Sequence, residues 1–333
     1  MAGTPDERLS GARKRKAVSC ESDQIEGRPE NAPLGNLWSC ALTEVRCVAG
    51  GEDELGEGPA WSAAEARLYW FDIQGKRLNW LSPGDGARGG WDLPVRASVA
   101  VPAAGGGLVL VTEAGLGRFD TRIGKLDIEA PMDLGPGFRT NDGKIDVNGR
   151  IWWSSMDDDG GKRPGRLFRT DPDGQTHVVL EDIHIANTVS CNPEGDAYYF
   201  ADSTRRTIWR FPMSASGDLG ERSIFATTLE SSGAPDGSAV DAEGYLWNAQ
   251  WGAWRIVRYA PDGSIDQIIP MPVGQPSSCA FGGPELSTLY VTSARERLAA
   301  SDLESQPLAG SLFALEPGVR GLPLPDFSGK LIP

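Results

Sequence analysis

A repeat of roughly 40 to 50 residues limits the folds that this chain can adopt. Beyond residue 50, short runs of Val, Ile, Leu and aromatic residues alternate with turn sequences such as SPGDG, DVNG, DPDG and DAEG. Aligning each turn with the apolar run that follows gives six similar units, separated by 39, 44, 47, 48 and 43 residues. The equivalent positions are Tyr69, Leu108, Trp152, Tyr199, Trp247 and Tyr290. A period of this length that contains several strands is typical of a propeller blade.

The six units predict an all-β fold, a six-bladed β-propeller with four-stranded antiparallel blades around a central channel. Segments such as GRLFRT, RTIWRF and WRIVRY alternate between apolar and polar residues, as half-buried strands do. The 42 Gly and 24 Pro argue against long helices. A pair of β-sandwiches or a solenoid is the alternative, but neither explains why the units stop at six.

The composition divides the chain into two parts. Residues 1–42 are rich in Gly, Pro, Ser, Glu, Arg and Lys and show no sustained period, so we predict a disordered or loosely attached leader. Residues 43–333 are predicted to form a single propeller domain, because the chain is long enough for one large core.

Charge and cysteine content exclude several classes of function. The formal net charge of −14 disfavours binding to nucleic acids and to anionic membranes. No apolar run approaches the ~20 residues that a membrane span needs, and the N-terminus lacks the apolar segment of a secretory signal. The five cysteines are widely spaced, with no C-x-x-C, and so indicate neither a disulfide framework nor a thiolate metal site. We predict a cytoplasmic protein, monomeric or weakly homo-oligomeric, whose partner is a small molecule.

Five motifs precede the repeats, and in a propeller the loops that enter the innermost strands converge at one mouth of the channel. Each motif places a carboxylate, an amide or a small polar group beside Gly or Pro, and any one of them alone reads as a turn. The motifs are GEGPAW (residues 56–61), RTNDGK (139–144), IANTVS (185–190), APDGSAVD (234–241) and VGQPSSCAF (273–281).

Together these motifs predict a site. Glu57, Asn187 and Asp236 come from three separate units at corresponding positions, and their oxygens suit a hard divalent cation completed by water. Arg139 and Asn141 add a fixed positive charge and an amide from a fourth unit. Such a pair would anchor a substrate that carries carboxylates or hydroxyls.

The series GEGPxW, RxNDGK, the Asn of IANTVS and PDGxxxDxEGxLW, in this order, resembles the gluconolactonase and senescence-marker-protein (regucalcin) family. The likeness covers residues from about 50 to 318, and the segments WWSSMDDDGGKRPGRLFR (152–169) and FGGPELSTLYVTSAR (281–295) look more like bacterial aldonolactonases than like the animal protein. The resemblance implies a six-bladed propeller that binds one divalent metal ion and hydrolyses a sugar lactone. Calcium is the expected metal, and Zn, Mn, Mg and Fe(II) stay open, since an oxygen-only ligand set accepts all of them.

The resemblance also implies residue roles. Glu57, Asn187 and Asp236 would ligate the metal, with Asp236 also acting as the general base. Substrate would be held by Arg139 and Asn141, and by Asp159 of the segment MDDDGG, which we predict to return toward the mouth as a lid.

Other functions stay open at this point. One is a non-catalytic calcium-binding or scaffold propeller, and another is a related propeller hydrolase with a non-sugar substrate. A serine triad or a histidine-rich zinc site is poorly supplied, because the chain has only two histidines, His177 and His184. Trp251 and Trp254, in QWGAW, are candidates for the wall of the mouth.

Overall fold

Six sheets of four antiparallel strands make up the fold in the computed structural model, which describes residues 43–229 and 233–332. The inner strands of successive sheets contact one another in order, and the last contacts the first, so the sheets close into a ring around a channel. The predicted six-bladed β-propeller is therefore confirmed. The predicted leader, residues 1–42, lies outside the described residues.

Four strands form each blade, and they are consecutive in every blade except the last. The strand β1 (Arg46–Ala49) precedes the first blade. Blade 1 contains β2 (Gly56–Ser62), β3 (Arg67–Asp72), β4 (Arg77–Leu81) and β5 (Arg88–Asp92), and blade 2 contains β6 (Ala97–Pro102), β7 (Leu108–Thr112), β8 (Gly115–Asp120) and β9 (Lys125–Pro131). Blade 3 contains β10 (Phe138–Ile145), β11 (Ile151–Asp157), β12 (Gly165–Thr170) and β13 (Thr176–Ile183). Blade 4 contains β14 (Ala186–Cys191), β15 (Ala197–Asp202), β16 (Thr207–Pro212) and β17 (Ser223–Thr227). Blade 5 contains β18 (Ala234–Val240), β19 (Leu246–Trp251), β20 (Arg255–Tyr259) and β21 (Ile265–Pro270), and blade 6 contains β22 (Pro276–Gly282), β23 (Thr288–Ser293) and β24 (Leu312–Leu315). The described helices are the short 3₁₀ helix Ser203–Arg205 and α1 (Ala300–Ser305).

The last blade joins the two ends of the propeller. Its strand order is β1-β24-β23-β22, so β1, from before the first blade, supplies the outer strand. β1 pairs antiparallel with β24, with Arg46 opposite Ala314. The ring is thus closed by backbone hydrogen bonds between the two ends of the propeller.

The six equivalent positions of the repeat occupy the second strand of each blade and are buried in the cores between the blades. Two of them show how the turns support the cores. The Trp152 indole donates to Asp146 at 2.9 Å, and the Trp247 indole donates to Asp241 at 2.9 Å. These aspartates belong to the turns DVNG and DAEG, so they satisfy buried N–H groups and have structural roles.

Every innermost strand carries a one-residue β-bulge, and these bulges position the site. The register shifts fall between Glu57 and Ala60 in β2 and between Asn187 and Ser190 in β14, and the same break occurs in β6, β10, β18 and β22. We predicted that the polar motifs lie in loops entering the innermost strands. That placement was wrong: the motifs form most of these strands, and the bulge turns selected side chains toward the channel.

Gly58 shows why the motif GEGP requires glycine at the bulge. Its φ is +57°, and a Cβ at this position would lie 2.2 Å from the carbonyl oxygen of Ser98 in the next blade. Any side chain here would push two innermost strands apart beside Glu57.

Neither described helix is long and apolar enough to cross a membrane. The cytoplasmic location and the monomeric or weakly associated state stay predictions.

Candidate active site

A cavity of about 390 Å³ lies at one mouth of the channel, within the range of small-molecule sites. The predicted ligand and anchoring residues line it from the innermost strands of four blades, and all of them are buried. They are Glu57, Arg139, Asn141, Asn187 and Asp236. Residues separated by up to 179 positions in the sequence thus meet at one place.

Hydrogen bonds connect the anchoring pair to one proposed metal ligand. Arg139 Nη1 donates to Asn141 Oδ1 at 2.6 Å, and Asn141 Nδ2 donates to Asn187 Oδ1 at 3.1 Å. Asn187 Nδ2 donates in turn to Ser203 Oγ at 2.8 Å. The amide oxygen Oδ1, which also accepts from Asn141, is therefore the atom of Asn187 that could bind a cation. The orientations of Arg139, Asn141 and Asn187 are therefore fixed by one another.

The two buried carboxylates, Glu57 and Asp236, are placed differently. Within residues 43–229 and 233–332, neither forms an ion pair, and Glu57 Oε2 accepts only the N–H of Gly58, at 3.0 Å. Burial raises the pKa of Glu57, and the charge of Asp142 raises it further. Burial also raises the pKa of Asp236, as do the charges of Glu57 and Asp142. The positive charge of Arg139 lowers both pKa values only in part, so each carboxyl of the metal-free site holds its proton more tightly than an exposed carboxyl does.

Asp142 is a third buried carboxylate, behind the cavity. It accepts the N–H of Gly143 and that of Val189, each at 2.8 Å. The bond from Val189 joins the bulges of β10 and β14, so Asp142 connects two blades, and its charge acts on Glu57 and Asp236.

The three consecutive aspartates 157–159 have different partners. Asp157 pairs with Arg163 at 2.6 Å, away from the cavity lining. Asp158 lines the cavity and accepts from Arg139 Nε at 3.0 Å. Asp159 pairs with Lys162 at 2.7 Å, and its side chain is 73% exposed.

Asp159, which we predicted as a substrate contact, thus lies outside the cavity lining. The chain turns just after β11, so neighbouring side chains point in different directions. Asp158, and not Asp159, therefore reaches the cavity lining. The segment itself does return to the mouth, since Gly160 lines the cavity.

The family follows from a match along most of the propeller. A family model described as "SMP-30/Gluconolactonase/LRE-like region" matches residues 55–295. The chain belongs to the SMP-30/gluconolactonase family.

Two relatives are sugar lactonases by name. A 6-deoxy-6-sulfogluconolactonase of Pseudomonas putida is 33% identical over 288 residues (86% of this chain, 99% of the relative). An L-arabinolactonase of Azospirillum brasilense is 34% identical over 292 residues (86% and 96%).

A solved structure of a calcium-binding protein, regucalcin, from Agrobacterium tumefaciens has the same fold. It superimposes with a TM-score of 0.82 at 30% sequence identity and covers 86% of this chain and 99% of that chain. The predicted resemblance is thus confirmed at the level of the family.

Several residues that line the cavity of this SMP-30/gluconolactonase member were not predicted. They come from turns that follow the second strand of a blade or lead into an innermost strand, namely Asp158, Ser203, Thr204, Gln275, Glu296 and Arg297. For those that follow a second strand, one signal was available: polar residues recur there, as in ADSTRR and SARER. Gln275 lies in VGQPSSCAF, one of the five motifs expected at the mouth. Of the two tryptophans predicted at the mouth, Trp251 lines the cavity, whereas Trp254 is exposed and is not part of the lining.

The two histidines have no place in the chemistry of this cavity. The ring Nδ1 of His184 lies 2.6 Å from the carbonyl oxygen of Gly161 and holds that turn in place. His177 lies 3.2 Å from Asp171 and is half exposed. Neither lines the cavity.

Proposed function

We propose that the protein hydrolyses a sugar (aldono) lactone to the aldonic acid with the help of one divalent metal ion. One observation carries the proposal: two buried carboxylates that form no ion pair with any described residue lie beside an oriented Arg139–Asn141 pair in a single cavity. The names of the related lactonases support the substrate class. The sulfogluconolactonase and the arabinolactonase differ in their sugars, so the particular lactone has to come from the cavity itself.

The residues present fit a hard divalent cation. Glu57 and Asp236 supply carboxylate oxygens and Asn187 supplies an amide oxygen, the donor types that calcium and magnesium prefer. Among the described residues, no group of three or more His, Cys, Asp or Glu side chains could hold a metal. A metal at this site would therefore be held by two carboxylates and one amide, with the remaining positions left to water and substrate, which favours calcium over softer metals.

The chemistry divides between the ion and the side chains. A bound divalent ion would polarise a carbonyl and increase the acidity of a water molecule. Asp236 would accept the proton of the attacking water. Arg139, whose Nη2 is free of hydrogen bonds to the described residues, would bind ring oxygens of the sugar, and Asn141 keeps the guanidinium in place. Fixed positioning of this kind supplies much of the rate of an ester hydrolysis.

A panel of lactones tests the proposal. Glucono-, galactono-, arabinono- and xylono-lactone are supplied to the purified protein with Ca, Mg, Mn, Zn or Fe(II), and proton release is followed with a pH indicator. We expect at least one lactone to be hydrolysed well above its spontaneous rate. If the folded protein hydrolyses none of them with any metal, the proposed function is wrong.

A second candidate is a non-catalytic calcium-binding propeller, favoured by the likeness to the solved calcium-binding regucalcin. It expects metal binding without turnover in the same assay. A propeller hydrolase for apolar substrates is less well supported, because such substrates gain little from the Arg139–Asn141 pair.

Asp158 is expected to act through Arg139 as a positioning residue. Asp158→Asn removes the charge that holds Arg139 Nε, so KM should rise about tenfold while kcat changes little. The matched control is Asp159→Asn, the same change one residue later at an exposed carboxylate, which should leave both constants unchanged. Steady-state kinetics on the best lactone measure the difference, and equal effects of the two substitutions would contradict this role.

A further inference from the structure

Arg297 crosses the mouth of the cavity. It follows β23 in blade 6, has φ of +63° and lines the cavity, although its side chain is exposed. A Cβ on Gly160 would lie 3.5 Å from each of its two terminal nitrogens. Gly160 belongs to blade 3, which is opposite blade 6 in a ring of six. The guanidinium therefore lies over the opening of the cavity and not at its edge.

Arg297 differs from the other arginines of the mouth in having no fixed partner. Arg96 pairs with Glu113 and with Asp158, each at 2.7 Å, and Arg139 pairs with Asp158 at 3.0 Å. In contrast, Arg297 has neither an ion pair nor a hydrogen bond to any residue in the described part of the chain. Its five N–H donors face the cavity mouth and solvent.

The neighbouring carboxylate of Glu296 does not neutralise Arg297. Its Oε1 accepts from Gln74 Nε2 at 3.1 Å, on the side of blade 1. The charge of Glu296 also acts on Arg139, where it opposes the lowering of the Arg139 pKa by burial. Glu296 is thus committed to the Arg139 side of the mouth.

We propose that Arg297 binds an anionic group on the substrate, so that the preferred lactones carry a phosphate, sulfonate or carboxylate on the carbon remote from the lactone carbonyl. This inference rests on the proposed function. The innermost strands would hold the carbonyl end of the lactone, and Arg297 is at the mouth, where the other end of a bound sugar lies. A guanidinium pairs with such oxyanions through two parallel hydrogen bonds.

The net negative charge of the molecule increases the importance of Arg297 for binding an anionic substrate. With a formal net charge of −14, the protein repels anions at a distance, so an anionic substrate needs a fixed positive group at the entrance. Within the described mouth, Arg297 is the cation that is not already committed to a carboxylate.

Kinetics with matched neutral and anionic lactones test the inference. The substrates are glucono-lactone, its 6-phosphate and 6-sulfonate forms, and glucaro-lactone, whose C6 is a carboxylate. We expect Arg297→Ala to lower kcat/KM for the preferred anionic lactone by about 10- to 100-fold and for glucono-lactone by less than about twofold. The anionic form that loses most identifies the group that Arg297 binds.

Arg295→Ala is the matched control. It removes the same charge two residues earlier, from an arginine that pairs with Glu52 at 3.3 Å and does not line the cavity. It should leave the ratio of kcat/KM between anionic and neutral lactones unchanged. A parallel measurement without turnover compares the binding of 6-phosphogluconate and gluconate by calorimetry, where only Arg297→Ala should abolish the preference for the phosphate.

The outcomes separate this inference from the proposed function. If the wild-type protein hydrolyses lactones but prefers neutral ones, or if Arg297→Ala affects neutral and anionic lactones equally, Arg297 does not recognise an anion and the lactonase proposal stands. If neither kind of lactone is hydrolysed, the proposed function is wrong and this inference falls with it.

Discussion

Asp236→Asn is expected to abolish lactone hydrolysis, lowering kcat/KM by about a thousandfold or more. The substitution preserves the size of the side chain but removes the charge proposed to bind the metal and the group proposed to accept the proton from water. Asp236 is buried, and its backbone oxygen accepts from Thr188 and Asn248 at 2.7 and 3.0 Å. These backbone contacts are unaffected by the substitution, so the fold should persist.

The control for Asp236→Asn is Asp262→Asn in the same blade. Asp262 lies in an exposed turn, where it accepts from Ser264, and it should tolerate the change without loss of activity. Both variants are assayed with saturating metal, and circular dichroism monitors their fold. A folded Asp236→Asn protein that keeps more than a tenth of the wild-type rate would contradict the role of Asp236.

Removing one buried carboxylate is expected to stabilise the metal-free protein while destroying its activity. Folding raises the pKa of Glu57 above its ordinary value of 4.5, so the native state binds more protons than the unfolded chain does. The free energy of unfolding of the metal-free wild type therefore falls as the pH rises from about 4.5 through the raised pKa. Glu57→Gln removes the contribution of Glu57 to this loss and should be more stable than the wild type by about 2 kcal/mol at pH 8.

Urea unfolding at pH 5 and pH 8, with a chelator present, measures this effect. Glutamine can still accept the N–H of Gly58, so the variant loses charge without losing the hydrogen bond. Adding a divalent ion at pH 8 should raise the Tm of the wild type by several degrees and have little effect on Glu57→Gln. A variant less stable than the wild type at pH 8, or equal stabilisation of both by the ion, would show that Glu57 does not carry the proposed charge.

The architecture could be predicted from the sequence because each blade repeats the same local pattern. Tyr69, Trp152 and Trp247 mark the second strand of three blades, and every such strand is buried between neighbouring sheets. The proposed metal-binding and anchoring residues could be brought to one cavity for the same reason, since equivalent positions of a closed ring face the same channel.

Contacts at the mouth could not be predicted in the same way, because they depend on how turns fold back across the ring. Three successive aspartates follow one strand, and nothing in their order indicates that Asp158, and not Asp159, reaches Arg139. Likewise, the meeting of Arg297 and Gly160 joins opposite blades, and no local pattern encodes that distance.

The bulges were also invisible in the sequence. A bulge adds one residue to a strand without a unique sequence signal, so GEGP and APDG read as turns although both lie within innermost strands. In the structure, the bulge after Glu57 and the bulge beside Asp236 direct both carboxylates to the same cavity.

The central claim is that one divalent ion, held by Glu57, Asn187 and Asp236, makes the cavity a lactonase. The most direct measurement titrates chelator-treated protein with a divalent ion and records bound metal and lactone hydrolysis in the same samples. We predict that the rate rises with the first equivalent bound and stops rising at one ion per chain. Full activity before any metal is added, or a stoichiometrically bound ion that leaves the rate at its spontaneous value, would contradict the claim.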